Sequence, residues 1–295
     1  MQEKLYDYAV IGGDMRQVYL TEELADPSRR ICYYALSASP KEGHCSPTAY
    51  LTNAATLQEA CSVSSQLICP IPLSTDGTHL NQRVLTDGLT LQQLLDELHA
   101  GQLFFAGAIP PAFRDEAEKK GVKVYDLMEV PSLSYFNTLA TAEGAICEAI
   151  SMSPINLHKS RCLILGYGKC GSTLAHYLKG MSCYLDIITR DPLEQSQAAL
   201  TAVHVDGIEA LENRVMDYDF IFNTIPALVL TAPLLKNMKP QVTIIDIASA
   251  PGGVDFAAAS ELNLCARLAP GLPGKYAPAS SARAIKETIE IMLKE

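Results

Sequence analysis

Residues 161–180 read RCLILGYGKCGSTLAHYLKG and contain three parts in succession. Residues 162–165 form an unbroken apolar run, which predicts a short strand that is buried on both faces. Three glycines follow with the spacing G-x-G-x-x-G, and after them apolar residues recur at helical spacing. Because the motif lies between a predicted strand and a predicted helix, it predicts a dinucleotide-binding turn. The alternative is a tight structural turn that binds nothing.

Each glycine of this motif has a separate expected role. Gly166 allows the tight turn, Gly168 lets the backbone approach a pyrophosphate, and Gly171 lets the helix pack close to the strand. The free N–H groups and the dipole at the start of the helix attract phosphates. We therefore expect the diphosphate of a dinucleotide at this turn.

The end of the next predicted strand, residues 184–189, indicates which dinucleotide is preferred. An Asp or Glu at this place holds the ribose 2′-hydroxyl, whereas an arginine accommodates a 2′-phosphate. Here Thr189 and Arg190 occupy the place, and Asp191 follows one residue later. We predict NADP as the cofactor. NAD is the alternative, with Arg190 exposed and Asp191 bound to the ribose.

Composition limits the class of protein. A length of 295 residues suggests two domains, and 48% hydrophobic with 19% charged residues indicates an ordered chain. The net charge of −10 argues against a nucleic-acid surface. The nine cysteines are scattered without a zinc spacing, which predicts reduced thiols in a cytoplasm and no metal site. Neither a signal peptide nor an apolar run of about 20 residues is visible, so we expect no membrane association.

The first half of the chain predicts its own α/β domain. A strand at residues 8–11 runs into Gly12 and Gly13, and a helix follows to about residue 24. We predict further strands at 31–36, 67–69, 103–106 and 122–125, helices at 91–98 and 112–120, and a small hairpin around residues 79–88. Arg16 falls in the first turn of the first helix, where a cation opposes the helix dipole. Arg16 should therefore either face an anion or point into solvent.

Pro131 marks the predicted boundary, and a long helix at residues 134–150 should cross it. The fold class is α/β, with two doubly wound Rossmann-like domains linked by this helix and a cleft between them. We predict that residues 1–132 form an α/β domain that binds the substrate or a partner, and that residues 133–280 form the NAD(P)-binding domain. A C-terminal helix, residues 281–295, should pack back on the first domain.

Ligands of open α/β sheets bind beyond the carboxyl ends of the strands, and ligands of two-domain proteins collect in the cleft that the long helix would border, which together select two groups of candidate residues. The candidates for cofactor binding are Gly166, Tyr167, Gly168, Lys169, Cys170, Gly171, Thr189, Arg190, Asp191, Asn223, Thr224, Ile225, Pro226 and Ala248. The candidates for substrate binding are Gly13, Asp14, Arg16, Ser74, Thr75, Asn137, Thr141, Ser249, Gly252, Gly253, Pro270 and Gly271. No catalytic acid or base is assigned, because none of the six histidines lies in a recognisable motif.

Six segments of the sequence, taken together, resemble those of one known protein family. They are IGGDMR at 11–16, NTLATAEG at 137–144, LGYGKCG at 165–171, FNTIP at 222–226, DIASAPGG at 246–253 and APGLPG at 269–274. This combination resembles the family of dipicolinate synthase A subunits, and the resemblance spans nearly the whole chain. The last two segments also resemble, more distantly, the alanine dehydrogenases and the transhydrogenase family.

The resemblance implies a sporulation enzyme of endospore-forming bacteria, acting in the cytoplasm of the mother cell. Such an enzyme would oxidise dihydrodipicolinate, or its hydroxytetrahydro precursor, to pyridine-2,6-dicarboxylate, together with the flavoprotein-like B subunit of dipicolinate synthase. A homodimer of this chain within the hetero-oligomer is one arrangement that it allows. The family's cofactor site carries over to the three glycines and Arg190, and its cleft to Asp14, Arg16, Asn137 and Thr141.

Two alternatives stay open at the level of sequence. One is a free-standing NAD(P)-dependent dehydrogenase of another small amino or hydroxy acid, similar to alanine dehydrogenase. The other is a nucleotide-binding subunit that is not catalytic. The absence of an evident catalytic base is compatible with a dipicolinate synthase, because a reaction driven by aromatisation of the substrate needs little from the protein beyond positioning.

Overall fold

The computed structural model describes residues 5–36, 50–85 and 87–294. The chain divides into two compact units, Met1–Phe136 with Ala277–Glu295, and Asn137–Tyr276. Each unit contains a six-stranded parallel sheet with the same strand order. The predicted α/β class with two Rossmann-like domains is confirmed.

The sheet of the first unit is wound in both directions from its first strand. Its strands and helices are β1 (Tyr8–Ile11), α1 (Met15–Leu24), β2 (Ile31–Tyr34), β3 (Leu51–Asn53), α2 (Leu57–Ser62), β4 (Gln66–Ile68), α3 (Leu91–Asp96), β5 (Leu103–Ala106), α4 (Pro111–Lys119), β6 (Lys123–Asp126) and the start of α5 (Pro131–Met152). The spatial order is β3-β2-β1-β4-β5-β6. Ala9 of β1 pairs with Cys32 on one side and Leu67 on the other. The carboxyl ends of β1 and β4 therefore flank the switch point, where ligands of such sheets bind.

The second unit repeats this arrangement. Its elements after α5 are β7 (Arg161–Leu165), α6 (Lys169–Gly180), β8 (Tyr184–Ile188), α7 (Pro192–Ala198), β9 (His204–Asp206), α8 (Leu211–Arg214), β10 (Phe220–Asn223), α9 (Ala232–Leu235), β11 (Thr243–Asp246), α10 (Phe256–Glu261), β12 (Cys265–Leu268) and α11 (Leu272–Tyr276). The spatial order is β12-β11-β10-β7-β8-β9. Strand β7 is buried along residues 162–165, as its apolar run predicts. The switch point of this sheet lies between β7 and β10.

Both sheets are covered on both faces by apolar helix surfaces. In the first unit the last helix, α12 (Pro278–Met292), packs against α1, and its buried Ile285 and Ile289 lie in one cluster with Leu20 and Leu24. An ion pair of 2.7 Å between Arg29 and Glu290 adds a polar contact. The C-terminal helix is therefore an integral part of the first unit. Among the described residues, no helix combines the length and apolarity that crossing a membrane requires.

Two parts of the first unit differ from the sequence prediction. Strand β3 (LTN) and helix α2 (LQEACS) were not predicted, because neither short segment shows a clear apolar period. In place of the regular hairpin predicted around residues 79–88, the described residues form a loop with two isolated bridges, an antiparallel one between His79 and Thr90 and a parallel one between Gln82 and Gly13. The Asp76 carboxylate shapes this loop by accepting hydrogen bonds from the backbone N–H groups of Thr78 and His79.

Candidate functional site

The glycine turn between β7 and α6 has the tight geometry that its spacing predicts. Gly166 has φ of +89°, a left-handed conformation that favours glycine. A Cβ atom placed on Gly171 would lie 2.2 Å from the carbonyl oxygen of Gly166, so only glycine allows the helix to approach this closely. A Cβ on Gly166 would lie 2.4 Å from Oγ1 of Thr224. Both residues therefore have steric reasons to be glycine that concern the turn itself.

Gly168 differs from the other two glycines because it faces open space. It is exposed and is the N-cap of α6, where no side chain caps the first turn. A Cβ on Gly168 would contact a single heavy atom of the described chain, Oε1 of Glu194 at 3.8 Å. The start of α6 at Gly168 is therefore open to solvent, as the approach of a pyrophosphate would require.

The corresponding turn of the first unit is filled by the chain itself. A Cβ on Gly12 would lie 2.7 Å from Leu80, and one on Gly13 would lie 2.4 Å from the Gln17 side chain. The Gln17 side chain also accepts a hydrogen bond from the backbone N–H of Asp14 at 3.1 Å. The chain thus has two Rossmann-like turns, and the turn of the first unit is closed by its own side chains.

The segment after β8 contains three of the residues predicted to bind the cofactor. Asp191 caps α7 by accepting hydrogen bonds from the backbone N–H groups of Leu193 (2.7 Å) and Glu194 (3.1 Å). Thr189 is 4% exposed, and its hydroxyl donates to the Glu194 carboxylate. Arg190 is exposed and makes no hydrogen bond or ion pair with the described part of the chain. Arg190 is therefore the cation that this segment presents to a ligand.

Three side chains predicted to bind the cofactor are instead part of the protein interior. Tyr167 is 5% exposed, and its hydroxyl donates to Thr201 at 3.2 Å. Asn223 is fully buried at the end of β10 and donates to Asp246 at 2.8 Å. Ala248 is buried after β11. The sequence placed these residues correctly at the carboxyl ends of the strands, but their side chains point into the interior.

The remaining candidates for the cofactor lie at the surface of the same turns. Lys169 and Cys170 occupy the first turn of α6, and burial raises the pKa of the Cys170 thiol. Thr224 follows β10, and its hydroxyl donates to the Leu165 carbonyl at 2.8 Å. Ile225 and the exposed Pro226 continue this loop. The turn after β7 and the loop after β10 are therefore tied together at the switch point.

Asp246, which the sequence analysis did not select, organises the loop after β11. It is fully buried, and its carboxylate accepts hydrogen bonds from Asn223, from the Ala248 N–H (3.1 Å) and from the Gly253 N–H (2.6 Å). Gly253 and Gly252 are buried against this network, and a Cβ on Gly252 would lie 2.7 Å from Asp246. These two glycines were predicted to contact substrate, but they shape the loop. The sequence signal that could have identified this role is an aspartate at the end of a strand, followed by a loop that contains proline and two glycines.

In the first unit, Arg16 faces an anion, which is one of the two alternatives that the sequence left open. The anion is Asp14, whose carboxylate accepts from Nε (2.9 Å) and Nη2 (2.8 Å) of Arg16. Arg16 is 4% exposed and also donates to the Ile71 carbonyl. Burial raises the pKa of Asp14, but Arg16 and, more weakly, Arg83 outweigh this effect and hold it below its usual value. A buried guanidinium that is already paired with Asp14 does not fit the substrate-binding role for which Arg16 was a candidate.

Arg83 lies near the same end of the sheet. The bridge between Gly13 and Gln82 brings its segment beside the turn after β1, and its side chain is exposed. Ser74 lies in a turn, where its hydroxyl donates to Asp76 at 3.2 Å, and Thr75 is exposed. The carboxyl end of this sheet therefore presents Arg83, rather than Arg16, to solvent.

The other predicted substrate residues belong to the second unit. Asn137 and Thr141 lie one helical turn apart on α5, and the Thr141 hydroxyl donates to the Asn137 carbonyl at 2.8 Å. Ser249, after β11, is exposed, as are Pro270 and Gly271, after β12. Gly271 has φ of +66°, which a residue with a side chain rarely adopts. These exposed loop residues are open to a ligand.

A buried carboxylate next to this loop holds two cations. Glu148 of α5 is 3% exposed and pairs with Lys275 (2.5 Å) and Arg267 (2.6 Å), while the Tyr276 hydroxyl donates at 2.9 Å. Burial alone would raise the pKa of Glu148, but hydrogen bonds from Lys275, Tyr276 and Arg267 lower it to about 2. Lys275 is therefore committed to a structural contact between α5 and α11.

We expect this cluster to make the stability of the protein depend on pH. The folded pKa of Glu148, about 2, lies below the ordinary value of 4.5. Its contribution is therefore complete above pH 4.5 and is lost as the pH falls toward 2. Because Lys275 and Arg267 are half exposed, we expect Glu148→Gln to lower the free energy of unfolding by only about 1–2 kcal/mol at about pH 7.

Urea denaturation of the wild type and Glu148→Gln at about pH 7 and about pH 3 measures this difference, which should shrink at the lower pH. Glu261→Gln, which neutralises an exposed carboxylate of the same unit, is the matched control and should change little at either pH. A difference between the wild type and Glu148→Gln that is the same at both pH values would contradict the assignment.

Comparison with known proteins agrees with this description. Residues 7–128 match the N-terminal domain of the dipicolinate synthase A subunit, and residues 134–258 match the NAD binding domain of D-isomer specific 2-hydroxyacid dehydrogenases. The dipicolinate synthase A subunit of Bacillus subtilis (strain 168) is 28% identical over 291 residues, which cover 97% of this chain and 95% of that protein.

Two solved structures extend the similarity to three dimensions. The dipicolinate synthase A chain from Bacillus subtilis has a TM-score of 0.78 and 26% identity, covering 100% of this chain and 99% of that one. The dipicolinate synthase A subunit from Bacillus halodurans shares the fold, with a TM-score of 0.81, 24% identity and coverage of 98% of both chains. Over nearly its whole length the chain is therefore similar to the dipicolinate synthase A subunit, and residues 134–258 resemble an NAD-binding dehydrogenase domain.

Proposed function

We propose that this chain is the NADP-dependent subunit that oxidises dihydrodipicolinate, or its hydroxytetrahydro precursor, to pyridine-2,6-dicarboxylate. The observation that carries the proposal is the open glycine turn at Gly168, in a unit that matches an NAD-binding dehydrogenase domain. The similarity to the dipicolinate synthase A subunit along the whole chain supports the choice of substrate.

The residues of the second unit support binding of a dinucleotide. The backbone N–H groups from Gly168 to Gly171 and the positive end of α6 would hold the diphosphate. A nicotinamide, when bound, supplies a hydride acceptor. The loop from Thr224 to Pro226 and the exposed Ser249 follow neighbouring strands and would border the nicotinamide half. This arrangement orients the reactants, which is the main requirement when the product is aromatic.

We propose that the first unit supplies a cation for the substrate's carboxylates. A dianionic substrate is repelled by a chain of net charge −10 unless a local cation attracts it. Arg83 is exposed at the carboxyl end of the sheet, and a guanidinium can bind a carboxylate through two hydrogen bonds. The Asp14–Arg16 pair would fix the turn beside it, with Thr75 as a further hydroxyl donor.

The preference for NADP is expected to depend on Arg190. Its guanidinium is exposed and makes no hydrogen bond or ion pair with the described residues, so a 2′-phosphate can engage it. Charge-assisted hydrogen bonds contribute about 1.5–3 kcal/mol, so Arg190→Ala should weaken binding of NADP by about tenfold or more. The affinity for NAD should change little. Calorimetric titration with each dinucleotide measures both effects.

Arg161→Ala is a matched control, because this exposed arginine lies at the opposite, amino-terminal end of β7. It should leave both affinities unchanged. An equal loss of NAD and NADP binding in Arg190→Ala would show that Arg190 does not recognise the 2′-phosphate.

We further propose that the chain acts with the flavoprotein-like B subunit of dipicolinate synthase, in the mother cell of a sporulating bacterium. The names of the relatives, which denote one subunit of a larger enzyme, support this partner. The direct experiment incubates the purified chain, with and without this partner, with freshly generated dihydrodipicolinate and NADP. Formation of both dipicolinate and NADPH supports the proposal.

The same assay separates the alternatives. Reduction of NADP by a small amino or hydroxy acid, but not by dihydrodipicolinate, would indicate a free-standing dehydrogenase. Binding of nucleotide without turnover, even with the flavoprotein-like partner present, would indicate a subunit that is not catalytic.

A further inference from the structure

Glu194 connects the end of β8 to the glycine turn. It lies on α7 and is half-buried, and one oxygen of its carboxylate, Oε2, accepts the hydrogen bond from Thr189. The other oxygen, Oε1, lies 3.8 Å from the position of a Cβ on Gly168. The hydrogen bond from Thr189 restricts the carboxylate, so Oε1 stays directed toward the turn.

This place is where the adenosine ribose of a dinucleotide binds in a Rossmann fold, between the first glycine turn and the end of the second strand. Asp191, which the sequence suggested as an alternative ribose ligand, uses its carboxylate to cap α7. Glu194 is therefore the carboxylate that faces this space. A carboxylate accepts hydrogen bonds from ribose hydroxyls, but it repels a phosphate on the 2′ position.

We infer that Glu194 is a specificity-determining residue for the cofactor, which binds the unphosphorylated ribose and opposes the 2′-phosphate. The inference rests on the proposed function, because it needs a dinucleotide at the glycine turn. Arg190 attracts the same phosphate, so the two side chains act in opposite directions. In the wild type, the affinity for NADP relative to NAD should therefore be lower than Arg190 would produce without Glu194.

The test is titration of Glu194→Gln with two adenosine fragments, adenosine 2′,5′-bisphosphate and AMP, and with NADP and NAD. The glutamine keeps an oxygen that can accept from Thr189 but removes the charge. Binding of the two 2′-phosphorylated ligands should tighten by about tenfold at low salt, while AMP and NAD should bind a few-fold more weakly. The gain for the phosphorylated ligands should decline as salt is raised.

Glu212→Gln is the matched control, since it removes an exposed carboxylate from the same unit and changes the net charge equally. It should leave the ratio of the two fragment affinities unchanged. If Glu194→Gln does not fold, as judged by thermal unfolding, Glu194→Ala provides the same comparison with the carboxylate removed.

Failure of the inference and failure of the proposed function give different results. An unchanged ratio of affinities in Glu194→Gln or Glu194→Ala, with normal binding by the wild type, would overturn the inference alone. A wild-type chain that binds none of the four ligands would overturn the proposed function and the inference with it.

Discussion

Gly168→Val is expected to abolish dinucleotide binding in a protein that remains folded. The new side chain would fill the space in front of the first turn of α6, where the diphosphate must approach the backbone. We expect a loss of affinity of about 100-fold or more, equivalent to about 2.8 kcal/mol. Because this space is free of described atoms other than Oε1 of Glu194, the free energy of unfolding should change by less than about 1 kcal/mol. Titration calorimetry and urea denaturation measure the two quantities separately.

Gly180→Val is the matched control for this variant. Gly180 ends the same helix, and a Cβ there meets no atom within 4 Å. The control should bind dinucleotide like the wild type. Normal binding by folded Gly168→Val would show that the turn is structural only and would remove the basis of the proposed function.

Asp246→Leu is expected to be strongly destabilising. The leucine would leave the N–H groups of Ala248 and Gly253 and the amide of Asn223 without their acceptor in a fully buried place. Each buried donor that is left unsatisfied costs about 1–3 kcal/mol, so we expect the free energy of unfolding to fall by at least about 3 kcal/mol. Asp246→Asn retains the volume and one acceptor oxygen, so it should lose less. Denaturant unfolding, together with hydrogen exchange at the Gly253 amide, measures the global and the local effect.

Asp217→Leu is the control, because it removes a half-exposed carboxylate that has a long ion pair of 3.7 Å with Arg161. It should stay within about 0.5 kcal/mol of the wild type. Equal unfolding midpoints for Asp246→Leu and the wild type would mean that the buried network does not hold the loop after β11.

The features that the sequence predicts well are those determined by neighbours in the chain. The strand β7, the turn and the helix α6 follow from apolar spacing and from three glycines within six residues. The roles of Gly166 and Gly171 are confirmed by distances within the turn. Strand β3 was missed because the prediction relied on local pattern, and its three residues at the edge of the sheet show no clear apolar period.

The direction of side chains was harder to predict because it depends on contacts between distant segments. Asn223 follows a strand where ligands bind, but its partner is Asp246, which is remote in sequence. Arg16 was expected to bind substrate, but it donates to the carbonyl of Ile71, which is remote in sequence, and pairs with Asp14. Glu194 was not among the candidates, because only the folded turn shows that its Oε1 faces Gly168.

The most direct test of the central claim is a crystal structure of the chain grown with NADP. We predict one dinucleotide per chain, with its diphosphate on the backbone N–H groups from Gly168 to Gly171. The 2′-phosphate should contact Arg190, and the adenosine ribose should lie beside Glu194. A dinucleotide at the Gly12–Gly13 turn of the first unit, or a second unit that is empty at saturating NADP, would contradict this claim.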